Sequence, residues 1–187
     1  MFQIDCKHEI DTNLASKCSS DMKFEFNEKK PNEFKGKVIL LSGEETRRMD
    51  KSVYLTIEND LNCYEIRYPF ICGPFKKAIK IGSMLAVGYQ SFFYLFNIDL
   101  SKNLLNFEIG GYFGDIYVDQ NLLYVAGAMG LYCFSLDGIL VWENTNLGVD
   151  GILIDHFTPD KIYGSAEHDP PEGWKDFIVD KGTGRSI

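Results

Sequence analysis

Gly114–Glu143 reads GDIYVDQNLLYVAGAMGLYCFSLDGILVWE, and this stretch decides the fold. Ile116–Val118, Leu122–Ala126, Leu131–Leu136 and Ile139–Trp142 are rich in Ile, Val, Leu, Tyr and Phe. Such side chains fit a pleated, half-buried surface, so the four pieces predict four short strands. The joints between them, Asp119-Gln120-Asn121, Gly127–Gly130 and Asp137-Gly138, are polar or contain glycine. Asp137-Gly138 predicts a tight two-residue hairpin, because Asp and Gly tolerate the positive φ that such turns need. One antiparallel meander of this size cannot bury both of its faces, so it is expected to recur.

The recurrence is visible in both directions. Ile116-x-Val118-Asp119 has counterparts in Ile79-x-Ile81-Gly82 and Ile152-x-Ile154-Asp155, whose starts lie 37 residues before it and 36 after it. Second strands align as Leu85-Ala-Val, Leu123-Tyr-Val and Ile162-Tyr-Gly. Third strands align as Phe96-Asn-Ile-Asp99, Phe134-Ser-Leu-Asp137 and Phe177-Ile-Val-Asp180, each closed by an Asp that opens a turn. Fourth strands are Leu105–Glu108 and Val141–Glu143. In the last unit only Arg185–Ile187 stands in that place, so its outer strand is missing or truncated. A fainter copy precedes these, with Val53-Tyr-Leu and Cys63–Ile66 lying 70 residues before Leu123-Tyr-Val and Cys133–Leu136. Val38–Leu41 is read as its first strand, with the charged excursion Glu44–Lys51, a solvated loop or short helical turn, inserted after it.

A repeat of this period made of one meander points to a propeller, a solenoid or an array. The expected fold is all-β, with four-stranded meander repeats in a small or incomplete β-propeller-like arrangement. Residues 1–187 form a single domain in this reading, with units over about 37–75, 76–110, 111–146 and 147–187. Phe2–Ile4 and Met22–Phe26, within the N-terminal segment 1–36, alternate as strands. They are expected to close the last unit and remove its exposed edge. An open, curved stack of the same meanders is the alternative.

The run Leu123–Glu143 resembles the blade repeat of PQQ-like, quinoprotein-type β-propellers: a strand, a glycine-containing turn, an apolar strand ending in Asp-Gly, then an apolar strand with Trp. Asp180-Lys-Gly-Thr-Gly184 resembles the same corner, and the resemblance covers residues 79–187. It implies the fold alone. The residues that hold the quinone in that family have no counterpart here, so no cofactor is expected.

Composition narrows the function classes. Apolar residues make up 45% and aromatic residues 14% of the 187 positions, as in a β-rich globule. No apolar run approaches the ~20 residues of a membrane helix, and Met1–Glu9 lacks the basic and apolar regions of a secretory leader. A cytoplasmic location without a membrane partner is the expectation. Cys6, Cys18, Cys63, Cys72 and Cys133 include no C-x-x-C pair, and Cys63 and Cys133 hold equivalent strand positions, so they read as small core hydrophobes. The net charge of −8 argues against nucleic acid as a partner. It suits a basic protein partner, and it also suits solubility alone.

Catalytic chemistry is not legible. Asp155-His156 and His168-Asp169 would have to meet across one blade to form an acid–base or metal site, and no spacing matches a zinc motif. No nucleophile motif is present. Gly110-Gly-Tyr-Phe-Gly114 precedes a strand rather than a helix, so it is a turn and not a phosphate cradle. The aromatics Phe92, Phe93, Tyr94, Phe96, Tyr112 and Phe113 read as core.

Binding is the better expectation, and it falls on the joints, where side chains project outward. Acidic joints cluster around Asp115, Asp150, Asp155, Glu167, Asp169 and Glu172, and the last three share the longest insertion, His168–Lys175, with Trp174. Pro170 and Pro171 stop ladder pairing there. Trp142 is expected to be buried and Trp174 exposed. An aromatic anchor ringed by carboxylates suits a basic partner; ordinary turn residues and solubilising charge are the plainer reading of the same acids. The small, acidic, cofactor-free chain with its degenerate repeat is similar in general character to bacterial immunity proteins. That similarity implies a non-enzymatic partner for a basic toxin domain. The alternative is a hydrolase or lyase using a propeller face.

Overall fold

The computed structural model describes residues 22–32 and 34–187. Four sheets follow one another along the chain. The first holds β1 (Phe24–Asn27), β2 (Val38–Leu40), β3 (Lys51–Ile57) and β4 (Cys63–Tyr68). The second is β5 (Lys76–Ile81), β6 (Met84–Tyr89), β7 (Phe92–Asn97) and β8 (Lys102–Glu108). The third is β9 (Phe113–Asp119), β10 (Leu122–Gly127), β11 (Leu131–Ser135) and β12 (Leu140–Asn144). The fourth is β13 (Ile152–Phe157), β14 (Lys161–His168) and β15 (Gly173–Asp180). A 3-10 helix over Glu44–Arg48 is the one helical element among the described residues. The protein is all-β, and the aligned repeats fall on equivalent strands of the second, third and fourth sheets.

Sheets two and three are plain antiparallel meanders. Both of their faces are covered, which explains why Leu85–Tyr89, Phe92–Asn97, Leu123–Gly127 and Leu131–Phe134 are buried almost without a break. The end sheets read differently: β3 and β14 alternate buried and half-exposed residues, so each end sheet buries one face. Three apolar cores result. Leu55, Tyr64 and Ile66 meet Leu85, Val87 and Phe96 between sheets one and two. Phe93 and Leu95 meet Phe113, Leu123 and Phe134 between sheets two and three. Tyr124, Cys133 and Trp142 meet Ile152, Ile162 and Val179 between sheets three and four. Each buried Leu, Ile or Phe contributes on the order of 1.5–3 kcal/mol. Among the described residues no fourth core joins sheet four back to sheet one, so the sheets stack in series around an open arrangement.

Three expectations are corrected. Val38–Leu40 is not the first strand of its unit; it lies on the far side of β4 and runs parallel to it, in the place that a fourth strand takes elsewhere. The first position belongs to β1, so Phe24–Asn27 pairs with β3 of the first sheet and not with the last unit. Phe24 and Phe26 alternate onto the first core, where Phe26 stacks on Tyr89 at 5.8 Å, and this contact is nearer along the chain than any in sheet four. Phe2–Ile4 lies outside the described residues. The Asp137-Gly138 joint is longer than a two-residue hairpin: Gly138 alone takes positive φ, at +82°, and the ladder shifts between Cys133 and Phe134. That is a type I turn completed by a left-handed glycine and a bulge.

The last two sheets are stapled together by the chain after β15. Lys181, largely buried, pairs with Asp119 and lies over the Phe157 ring, while its carbonyl accepts the Trp142 indole N–H at 2.9 Å. A Cβ at Gly184 would sit 2.3 Å from that indole, so only glycine allows the segment to lie against it. Asn144 Nδ2 donates to the Gly184 carbonyl at 2.7 Å. Ser186 bridges to Val179, the remnant of an outer strand that the repeat anticipates.

Candidate functional site

The exposed face of sheet four carries several of the expected contact residues. Its inward positions, Ile152, Ile154, Ile162, Ala166 and Val179, fill the third core. By strand alternation the outward positions form three cross-strand rows. One row is Gly151, Glu167 and Trp174; the next is Leu153, Ser165 and Asp176; the third is His156, Tyr163 and Ile178. Trp174, Leu153 and Ile178 are all exposed, Trp174 by 49% against 8% for Trp142. The two tryptophans therefore divide as expected. Apolar side chains and carboxylates alternate across one face.

Of the seven expected residues, Asp150, Glu167 and Trp174 converge. Glu167 stands across the ladder from Trp174, and its N–H donates to the Gly151 carbonyl at 2.9 Å. A Cβ on Gly151, whose φ is +148°, would lie 3.2 Å from the Trp174 ring. Asp155 lies at the other end of the same face, where the β13–β14 ladder shifts between Ile154 and His156. Asp169 opens the turn between β14 and β15, with its carbonyl accepting from the Glu172 N–H at 3.0 Å. Ladder pairing stops at His168–Gly173, so the two prolines act as expected. Glu172 is held by Lys175, which keeps its carboxyl below the usual carboxylate range. Asp115 does not join them. It is half-buried on β9, where it takes Lys77 at 2.6 Å and accepts its neighbour's backbone N–H.

Tyr112, which the sequence pattern assigns to the core, belongs to this surface. It lies in the joint before β9 and donates its hydroxyl to the Asp150 carbonyl at 2.7 Å. Phe75 packs against it with ring centroids 5.6 Å apart. Burial first, and then the Asp150 contact and the charges of Asp150 and Glu167, push the Tyr112 phenol up to about 12. The sequence signal that could have found it is the Gly110-Gly111 pair just before: Gly111, at φ +82°, turns the chain so that Tyr112 projects while Phe113 enters the core.

The two His/Asp pairs do not meet. His156 stacks on Tyr163 at 4.5 Å, whereas His168 is five residues further along β14, roughly 17 Å away at strand rise. Among the described residues no group of three or more His, Cys, Asp or Glu lies close enough to hold a metal ion. Cys63 and Cys133 are buried free thiols; burial pushes Cys133 up to about 12, the mark of an inert core thiol.

Charge is unevenly placed. Residues 111–187 carry 12 acidic and 4 basic side chains, while residues 1–110 carry 15 of each, so the whole net charge of −8 falls on the last two sheets. No helix among the described residues is long and apolar enough to cross a membrane.

No protein-family model and no curated protein matches the sequence. The solved structures similar to this chain include two computationally designed proteins. The computationally designed Ika4 protein is 10% identical, with 63% of this chain and 74% of that chain covered at a TM-score of 0.47. The computationally designed Ika8 protein is 12% identical, with 75% of this chain and 46% of that chain covered at a TM-score of 0.48.

Proposed function

We propose that the chain is a non-enzymatic protein-binding module whose exposed fourth sheet receives a basic partner. The observation that carries this reading is the single face on which Trp174, Leu153 and Ile178 alternate with Glu167, Asp176 and Asp155. Exposed aromatic and aliphatic anchors supply contact energy once desolvated, and rim carboxylates set encounter rate and choice of partner. The concentration of negative charge in residues 111–187 supports a cationic partner over a neutral one. Within that reading, the finer proposal is a toxin-neutralising immunity protein located in the cytoplasm. It would act by covering the cationic site of a basic toxin domain, sterically and electrostatically.

The test is co-expression with the product of the neighbouring gene, followed by purification and kinetic binding measurements. A stoichiometric complex is expected whose association slows with added salt and in which the partner's activity is suppressed. Asp169→Lys with Glu172→Lys should slow association and flatten its salt dependence, and Trp174→Ala should mainly speed dissociation. Turnover of a sugar or ester substrate by the isolated chain, with no complex formed, would overturn the reading in favour of a hydrolase or lyase.

A further inference from the structure

Two aromatic side chains, Tyr112 from the joint before β9 and Trp174 from the start of β15, close on one glycine at the upper corner of the fourth sheet. A Cβ at Gly151 would lie 3.2 Å from Trp174 Cη2 and 3.8 Å from Tyr112 Oη, so the absence of a side chain there lets both approach the same backbone. Glu167 is the direct cross-strand neighbour of Trp174, which places their Cβ atoms about 5 Å apart on the outward face. Asp150 precedes the glycine, and its carbonyl accepts the Tyr112 hydroxyl at 2.7 Å.

Three carboxylates of the last two sheets are neutralised by lysines, and the two at this corner are among those that are not. Asp115 pairs with Lys77, Asp119 with Lys181 and Glu172 with Lys175. Among the described residues neither Asp150 nor Glu167 has a cation within ion-pair distance. The ring faces follow the same division. Lys77 lies over Tyr117, Lys181 over Phe157 and Lys76 over Phe26, while no described cation lies over Trp174. A half-exposed indole, an acidic residue across the ladder from it and a second one next to the glycine make a site for one planar cation. A guanidinium can stack on the indole while donating to a carboxylate, which a compact ammonium does less well.

We propose that the Tyr112–Asp150–Glu167–Trp174 corner receives a single arginine side chain of the partner. This rests on the protein-binding reading above and narrows it to one contact of stated chemistry.

The experiment titrates the full chain with acetyl-Gly-Arg-Gly-amide, and separately with the same peptide carrying citrulline, a neutral isostere of arginine. The backbone amides and the two indole N–H signals are followed by proton–nitrogen spectroscopy. The Trp142 indole, buried and bonded to the Lys181 carbonyl, is the internal reference. The arginine peptide should shift the Trp174 indole and the Asp150–Gly151 amides saturably and leave Trp142 in place. Citrulline should bind roughly tenfold more weakly, the loss expected for one charge-assisted contact. Asp150→Asn with Glu167→Gln, which keeps both backbone links, should abolish the preference while leaving the Trp142 signal and melting temperature unchanged. Equal binding of both peptides, shifts centred elsewhere on the face, or no shift with either peptide would overturn the arginine site. A complex with the neighbouring gene product would still form in those cases if the broader reading holds, so the two failures are distinguishable.

Discussion

The two end sheets have the same job, to finish a stack, and they finish it differently. Sheet one turns Ser52, Tyr54, Thr56, Glu65 and Arg67 outward, with Glu65 and Arg67 paired at 2.9 Å. Pro31, Phe34 and Lys35 border a cleft on that side with Glu25 and Thr56. The residues up to this sheet and the next are charge-balanced. Sheet four has three strands, carries Trp174, Leu153 and Ile178 outward, and sits in the half that holds the whole net charge. A terminal unit needs a polar outer face for solubility. Sheet one meets that need with paired and covered groups, and sheet four meets it with unpaired carboxylates set among exposed apolar side chains. The first arrangement is finished by its own chain, and the second leaves apolar side chains exposed on its outer face.

The comparison can be broken most forcefully at the staple. Lys181→Met leaves Asp119 without its cation and should cost about 3–5 kcal/mol, the range for breaking a largely buried pair. Hydrogen exchange should show sheet four losing protection before sheet one; simultaneous loss would mean the staple serves the whole stack. Next comes a matched pair of truncations. Leu55→Ala, on the buried face of sheet one, should cost about 2–5 kcal/mol. Ile178→Ala, on the outward face of sheet four, should cost no more than about 0.5 kcal/mol. Urea titrations with unchanged slope would measure both, and a large cost at Ile178 would show that its face is already covered.

Alkaline pH probes both end interfaces at once. Burial raises the phenols of Tyr64 and Tyr94 at the first interface and of Tyr124 at the last. These groups keep their protons in the folded state at pH values where the unfolded chain, with phenols near 10, loses them. The stability they lend is therefore whole below about pH 10 and falls as pH rises beyond it toward the folded pKa values. Urea midpoints across that range, with tyrosinate absorbance, should show a common alkaline decline. Smaller still is the effect of charge on binding. Glu167→Lys should slow association with a basic partner several-fold, whereas Glu65→Lys on sheet one should leave it unchanged; equal effects would show that only net charge matters.

The architecture was legible because burial writes itself into periodicity. LYVAG and FFYLF are apolar without interruption, as strands covered on both faces must be, while KSVYLTI and KIYGSAEH alternate, as strands covered on one face do. The 36–37-residue recurrence, the Asp-opened turns, the Pro-stopped hairpin and the unequal tryptophans follow from local chemistry of the same kind. Which strand pairs with which was not legible where sequence order and spatial order part. Phe24–Asn27 and Val38–Leu40 are both short strands, and only the tertiary packing puts one beside β3, over the core shared with Tyr89, and the other parallel to β4 at the opposite edge. The acidic joints were equally alike in sequence. Asp115 and Glu172 took lysines while Asp150 and Glu167 did not, because pairing depends on which side chains the stacked sheets bring within a few ångströms. The sequence by itself determined that meanders would stack and which faces would be buried. Tertiary structure alone decided that Tyr112 and Trp174, 62 residues apart, close on Gly151, since that contact crosses from one sheet's joint to the next sheet's hairpin and leaves no periodic trace in either.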